Sequence, residues 1–363
     1  MDSQGVVRSK NKSNKCQRTA CFKWSQACLL VTFLILCGAT LVLNYLTVGS
    51  WSLIVKVRTL QWRQVIMPPT TFKTTIHRAP WKPLRPFDVL YPYEYHFILD
   101  EPEKCRSQSP FLVLVVPVAP RNRAVRDTIR RTWGNESLVP GVTIRRLFLL
   151  GLEDQKRGLQ KELHAESKEH HDLLQANFLD SYLNLTIKTM VMMEWLVTRC
   201  PNASYAAKVD TDMFLNVDFL VNTLLDPHTV QPKQNYITGA VMRKARVRRK
   251  KSSKFYVPRS VYRRDTYPSY VLGNVYIFSM DLPVKILKAS RHVRAFHLED
   301  VYLGMCLKHL GILPTFPPRS NLFYYRRIPY NRCRFVRLIS TTKLNADEID
   351  RYWRDFQKPH THC

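Results

Sequence analysis

Two carboxylates one residue apart, Asp210 and Asp212, close an apolar run in the stretch Ser204 to Asn216, Ser-Tyr-Ala-Ala-Lys-Val-Asp-Thr-Asp-Met-Phe-Leu-Asn. If Ala206 to Val209 ends a buried strand, the two-residue period sends both carboxylates to one side of the chain as it leaves the sheet. Such a pair repels itself unless a cation sits between its members. A hard divalent ion such as Mn2+ or Mg2+ suits oxygen donors, and it would hold a diphosphate and neutralise a leaving group. Asp-x-Asp alone is common in solvated turns and helix caps. Here the pair follows a strand-like segment and precedes Met213, Phe214 and Leu215, which return to the core, as at the carboxyl edge of an α/β sheet where ligands bind.

A second acidic constellation is His297-Leu298-Glu299-Asp300-Val301-Tyr302-Leu303-Gly304. The apolar residues from Val301 to Leu310 predict a helix with Glu299 and Asp300 near its N-terminus, where an acidic residue also serves as a cap. A group transfer to a hydroxyl needs one carboxylate off the metal to take the proton, and Asp300 is the candidate, with Glu299 beside it. Upstream, Tyr267-Pro268-Ser269-Tyr270 leads into a strand over Val271 to Ser279 that Gly273 interrupts, a sign of close backbone approach. Arg243 to Lys254 is a basic run, read either as a solvated loop or as a contact for an acidic glycan or phosphate.

The elements that must position these groups alternate. Phe111 to Val118 is an apolar, β-branched run of the kind buried on both faces of a sheet. Arg121 to Trp133 carries Val125, Ile129 and Trp133 at helical spacing. Leu147 to Gly151 predicts a strand, Gln155 to His171 a charged helix, Phe178 to Met193 a second helix, Tyr205 to Val209 a strand and Val217 to Leu225 a helix. This order argues for an α/β nucleotide-binding sheet, Rossmann-like and flanked by helices.

The 363 residues, 45% hydrophobic, suffice for one catalytic-size domain with N-terminal additions. Lysine and arginine number 56 against 28 acidic residues, a net charge of +28 that attracts polyanions in general. No charged residue occurs between Trp24 and Lys56, and Cys28 to Leu46 is long and apolar enough to predict a membrane span. Arg8, Lys10, Lys12, Lys15, Arg18 and Lys23 precede it, which puts the N-terminus in the cytosol and the rest in the lumen. The stretch is long for a cleaved leader and lacks a small-x-small site. The expected organisation is a basic tail over 1–25, a signal-anchor helix over 26–48, a Pro-rich lumenal stem over 49–104, a working domain over 105–358 and a short tail over 359–363. A lumenal domain meets little nucleic acid. The sequons at Asn135, Asn184 and Asn202 are expected to be glycosylated, and structural disulfides are expected among Cys105, Cys200, Cys306, Cys333 and Cys363.

Four ordered motifs carry a resemblance. These are Arg126-x-x-x-Arg130-x-Thr132-Trp133-Gly134-Asn135-Glu136-Ser137, Tyr182-x-Asn184-Leu185-Thr186-x-Lys188-Thr189, Lys208-x-Asp210-x-Asp212-Met213-Phe214 and Glu299-Asp300-Val301-x-x-Gly304. Together, from about Glu101 to Trp353, the chain resembles the β-1,3-galactosyltransferases of glycosyltransferase family 31. The resemblance implies a GT-A type fold behind the membrane helix, a Golgi location as a single-pass type II protein, and a UDP-sugar donor. It also implies Mn2+ at Asp210 and Asp212, inversion at the anomeric carbon, and Asp300 as base. Arg126, Arg130, Lys188 and Lys208, with Asp210, fall on the donor side. The acceptor would be a terminal GlcNAc or GalNAc of a glycoprotein or glycolipid, approached by Tyr267, Gly273, Asn274 and Val275. The same resemblance pairs Cys105 with Cys200 and Cys306 with Cys333, leaves Cys363 unpaired, and leaves room for oligomers with itself or other transferases.

Two departures stand out. Where the family typically has Cys-Ser-Gly-x-Gly-Tyr, this chain has Val271-Leu272-Gly273-Asn274-Val275-Tyr276, so Val275 is expected to narrow the pocket. Tyr325 aligns with a histidine that ligates the metal in many members. These residues motivate a competing reading, a Golgi glycan-binding or partner protein of the same fold without chemistry. A β-1,3-N-acetylglucosaminyltransferase is the rival within the enzyme class, because the motifs do not encode the donor sugar. The charge alone motivates a third reading, a binder of heparan-like chains or anionic membrane.

Overall fold

The structure, a computed structural model, describes residues 87, 89–106, 108–153, 158–229 and 231–359. The chain divides into two compact units, Met1–His77 and Arg78–Cys363, and only the second contains described residues. The cytosolic tail, the signal-anchor helix and most of the stem therefore lie outside them, as does Cys363. Among the described residues no helix is long and apolar enough to cross a membrane.

A seven-stranded mixed sheet organises the second unit, in the order β1-β4-β3-β2-β5-β8-β7. The strands are β1 (Phe97–Leu99), β2 (Leu112–Pro117), β3 (Ile144–Leu152), β4 (Leu173–Leu179), β5 (Tyr205–Val209), β7 (Ile237–Met242) and β8 (Tyr270–Ser279). The central four, β4-β3-β2-β5, are parallel, and β1, β8 and β7 add antiparallel edges. A small antiparallel pair, β6 (Phe214–Leu215) and β9 (Ser340–Thr341), lies beyond β5. The principal helices are α1 (Arg123–Arg131), α2 (Leu159–His170), α3 (Leu185–Arg199), α4 (Leu282–Ala289), α5 (Glu299–His309) and α6 (Ala346–Phe356).

Alternation along the strands builds two cores, one on each face of the sheet. Val113, Val115, Leu147, Leu149 and Ala206 point to the face covered by α3, α4 and α5, whose Trp195, Ile286 and Leu303 complete that layer. Leu112, Leu114, Val116, Phe148 and Ala207 point to the other face, closed by Ile129, Trp133, Phe214, Phe335 and Trp353. Such two-sided burial accounts for strands that read as continuous apolar runs.

Several elements differ from the sequence expectation. Phe178 belongs to β4 rather than to a helix, and α3 begins only at Leu185 after a short 3-10 turn over Tyr182–Asn184. Strand β1 lies inside the segment read as stem and pairs with β4, so the sheet begins before Cys105. Cys105 and Cys200 form a disulfide, as expected. The other expected pairing does not form: Cys306 is a free thiol, fully buried on α5, and Cys333 is disulfide-bonded without it. An apolar core surrounds Cys306, and burial pushes its thiol up to about 12.

Candidate functional site

Parallel strands β2 and β5 are neighbours, while β3 and β4 extend the sheet from the far side of β2. The direction of winding therefore reverses between β2 and β5, and the crevice beyond their carboxyl ends is where α/β sheets bind ligands. Asp210 follows β5 at that point.

Strand β8 is distorted beside it. Val271 pairs with Val241 and Tyr276 with Gly239, so Leu272, Gly273, Asn274 and Val275 stand opposite Ala240 alone. This bulge re-aims the backbone, as bulges near sites commonly do. The Asn274 carbonyl accepts from the Asp210 amide at 2.9 Å. The Gly273 carbonyl accepts from the Lys208 ammonium, and the Gly273 amide donates to Asp300 Oδ2 at 3.2 Å. A Cβ at Gly273 would stand 2.5 Å from Glu299 Oε1, so any other residue there displaces that carboxylate from its place beside Lys208.

Lys208 joins the parts. Its ammonium, with 4% of the side chain exposed, donates to Asp210 Oδ1 at 2.6 Å and to Glu299 Oε1 at 3.3 Å. Burial opposes its charge, but Asp210 and then Glu299 outweigh burial and raise its pKa. Glu299 takes the weaker share of that ammonium. Burial, aided by Asp300 and Asp210 and opposed by Lys208, pushes Glu299 up to about 7. The short Lys208–Asp210 contact is thus the ionic one, and Glu299 is the member that burial tends to neutralise. Thr189 and Tyr276 donate to Glu299 Oε2 at 3.2 and 3.3 Å and fix its position.

Asp300 sits in the first turn of α5, where its Oδ1 accepts from the Val301 amide at 2.8 Å. It is a helix-terminal acceptor and a site carboxylate at once. Burial raises its pKa against those amide bonds, a direction that suits a base working near neutrality. Asp210 is raised by burial too, against the pull of Lys208.

The Asp212 carboxylate reaches the Thr342 hydroxyl at 3.4 Å, and its carbonyl accepts from the Leu344 amide at 3.0 Å. The segment after β9 therefore holds Asp212. Tyr325 belongs to a neighbouring segment in which the Tyr324 amide donates to the Ser340 carbonyl at 2.9 Å, and its ring is 47% exposed. Among the described residues no group of three or more His, Cys, Asp or Glu side chains could hold a metal alone. What the chain offers is an oxygen pair, one member shared with Lys208. That fits a hard cation completed by substrate phosphate and water rather than a protein-only cage.

The donor-side cations divide. Lys188 is buried beneath the strand ends, donating to the Val118 carbonyl at 2.9 Å and Asp180 Oδ2 at 2.7 Å, while Asp180 also accepts from the Gly151 amide at 2.8 Å. It thereby ties together the ends of β2, β3 and β4 behind the crevice. Arg126 and Arg130, expected to face a diphosphate, are occupied elsewhere. Arg126, 1% exposed, makes a bidentate pair with Glu166 of α2 and donates to the carbonyls of Ala119 and Pro120. Arg130 bonds Glu166, Asp172 and Asp127. Burial works against Glu166 and Asp172, but the guanidinium groups hold both below the ordinary carboxylate range. These arginines shape the β2–α1 loop from behind.

Val275 does not line the pocket. It is 1% exposed, pairs with Val209 and packs in the core on the α1 side of the sheet. Asn274 stands in the bulge, its Oδ1 accepting from the Val275 amide at 3.0 Å. Tyr267 is buried, with no partner for its hydroxyl among the described residues. Tyr182, in the same motif as Lys188, also reaches the site: it is 44% exposed, and burial and then Asp300 and Glu299 raise its pKa. Asp180 and Thr342 were missed, because each acts through a partner distant in sequence. Of the sequons, Asn135 and Asn202 are exposed, whereas the half-buried Asn184 donates from Nδ2 to the Leu179 carbonyl at 2.9 Å.

Residues 124–318 match the galactosyltransferase family model. Beta-1,3-galactosyltransferase 2 of Homo sapiens is 44% identical over 277 residues, covering 75% of this chain and 65% of that protein. The match therefore spans a little under two thirds of that relative. Beta-1,3-galactosyltransferase 1 of Mus musculus is 39% identical over 273 residues, covering 75% of this chain and 82% of that protein. A solved glycosyltransferase involved in the glycosylation of the major capsid of PBCV-1 aligns with a TM-score of 0.34 and 10% identity, over 68% of this chain and 100% of that one.

Proposed function

This chain belongs to the galactosyltransferase family, and from that premise we propose that it is an inverting β-1,3-galactosyltransferase of GT-A type. It would transfer galactose from UDP-galactose to a terminal GlcNAc or GalNAc of a glycoprotein or glycolipid. The observation that carries the reading is the linkage Asp210–Lys208–Gly273–Asp300, which joins the carboxylate pair at the end of β5 to a separate carboxylate at the start of α5.

In the proposed reaction Asp300 takes the proton from the acceptor hydroxyl as its oxygen attacks the anomeric carbon. The new glycosidic C–O bond forms on the face opposite the departing diphosphate, the sugar-to-phosphate C–O bond breaks, and UDP leaves with the bonding pair. Asp210 and Asp212 would hold Mn2+, which when bound supplies charge neutralisation for the diphosphate. Lys208 keeps Asp210 ionised and aimed, and Glu299, held by Thr189 and Tyr276, positions Lys208. Location in the Golgi as a single-pass type II protein, with this unit lumenal, belongs to the same proposal and rests on the apolar stretch from Cys28 to Leu46. Burial of Val275 removes one of the two reasons for reading the chain as a silent glycan-binding protein.

The test is turnover of UDP-galactose with a GlcNAc-terminated acceptor, with Mn2+ and with EDTA, beside a UDP-GlcNAc control. Transfer that requires the metal and is lost in Asp212→Ala supports the proposal. Full turnover by Asp212→Ala refutes the metal assignment, and preference for UDP-GlcNAc refutes the donor.

A further inference from the structure

The loop between β7 and β8 is strongly basic. Residues 243–266 contain eleven lysines and arginines against the single acidic residue Asp265, and every one of these cations except Arg249 is exposed. Asp265 pairs with Arg259 at 2.9 Å, which leaves the others without an acidic neighbour inside the loop.

A solvated, mobile loop would relieve such repulsion by spreading, but this one is held. Arg249 donates to the carbonyls of Val257, Tyr262 and Arg264 at 2.7 to 2.8 Å. Bridges join Arg246 to Thr266 and Arg248 to Tyr256, and Val247 and Val257 are buried beneath. One cation is thus spent on fastening the loop while the rest are displayed on it. Fixing like charges at close range costs free energy that an anionic partner would offset.

The loop also stands next to the chemistry. Its base is the pair Met242–Tyr270, three residues ahead of Gly273, and the Tyr267 amide donates to the Ala245 carbonyl at 2.9 Å. Tyr270 packs so closely on Gly304 of α5 that a Cβ there would meet its Cβ at 2.5 Å. Gly304 lies one turn from Asp300, so the base of the loop packs against the helix that carries that carboxylate.

We propose that the β7–β8 loop is a docking platform for a polyanionic glycan, a sulfated or carboxylated chain whose terminal sugar is presented to Asp300. This rests on the transferase reading and narrows its acceptor class. Arginine forks suit sulfate and carboxylate groups. A bilayer is the poorer partner, because Phe255 is the one large apolar side chain this loop exposes and insertion needs an apolar face.

The test compares the full chain, purified in mild detergent, with its Lys250→Ser/Lys251→Ser/Lys254→Ser variant. Two acceptors share a terminal GlcNAc, one on a sulfated hexasaccharide and one on its neutral counterpart. The sulfated acceptor should show a KM lower by about tenfold, and the variant should lose most of that advantage, since each exposed ion pair contributes modestly and three together amount to roughly one decade. Its kcat on the neutral acceptor should not change, and added salt should mimic the variant. Equal KM for the two acceptors, or a preference that survives in the variant, overturns the proposal. Retention on immobilised dextran sulfate is measured in parallel, so that absence of turnover with both acceptors counts against the transferase reading while retention still decides the platform. Tight binding to phosphatidylserine vesicles without retention on dextran sulfate overturns it in favour of a membrane surface.

Discussion

Glu299 offers the sharpest check on the electrostatics. Its pKa is pushed from an ordinary 4.5 up to about 7 by burial, and a folded-state pKa above the unfolded one means that the native protein holds the proton more tightly. The resulting stabilisation is fully present below about pH 4.5 and is lost as pH rises through about 7. A shift of about 2.5 units at about 1.4 kcal/mol each gives roughly 3 kcal/mol, little discounted because the side chain is buried. Glu299→Gln preserves shape and keeps an oxygen for Thr189, Tyr276 or Lys208, but it cannot ionise. Urea unfolding of both proteins in EDTA, from about pH 5 to about pH 8, should show wild type losing about 2–3 kcal/mol relative to the variant as pH rises. A stability difference that stays constant over that range refutes the reasoning. It would mean that Lys208 keeps Glu299 ionised throughout, so that the 3.3 Å contact rather than the 2.6 Å contact to Asp210 dominates.

Asp300→Asn keeps one of the two backbone bonds and turns an NH2 toward the other amide, so stability should fall by about 1–2 kcal/mol, while kcat falls roughly 10²- to 10⁴-fold as the proton acceptor is lost. Unchanged kcat would remove Asp300 as the base. Arg126→Ala leaves Glu166 with Arg130 alone and frees the Ala119–Pro120 carbonyls, so unfolding by urea should register a loss of about 2–4 kcal/mol. If its main effect were instead a raised KM for UDP-galactose in a stable protein, Arg126 would be a donor ligand after all. Gly273→Ala forces Glu299 Oε1 aside and should cost about 1–3 kcal/mol. Turnover should fall with it, and a fully active, fully stable Gly273→Ala protein would show that the position of Glu299 beside Lys208 is not needed.

Where sequence and structure agree, local chemistry sufficed. The runs at β2 and β5 read as buried strands because both faces are covered, and β5 ends at Val209 so that Asp210 emerges where the apolar run predicts. The failures are of another kind. Strand β4 interleaves Gln175 and Asn177 with its apolar residues, and Gln175 is buried only because Gly151 and Gln160 satisfy its amide. The chain just after β4 has helical periodicity, so Phe178 was drawn into the helix. Arg126 and Arg130 read as ligands because charge in sequence carries no sign of burial, and their true partner, Glu166, lies forty and thirty-six residues on. Cys306 could be assigned no partner by spacing alone, and the packing around α5 left it reduced. The resemblance ties Val275 to the pocket through a family glycine, but Val275 pairs with Val209 in unbroken register with β5 and packs in a core. The bulge faces β7, at Leu272–Val275, and it delivers the Gly273 amide and carbonyl to Asp300 and Lys208. Gly273 marks a close approach in the sequence but not its partners, which is why the acidic residues could be named from the sequence and their connection could not.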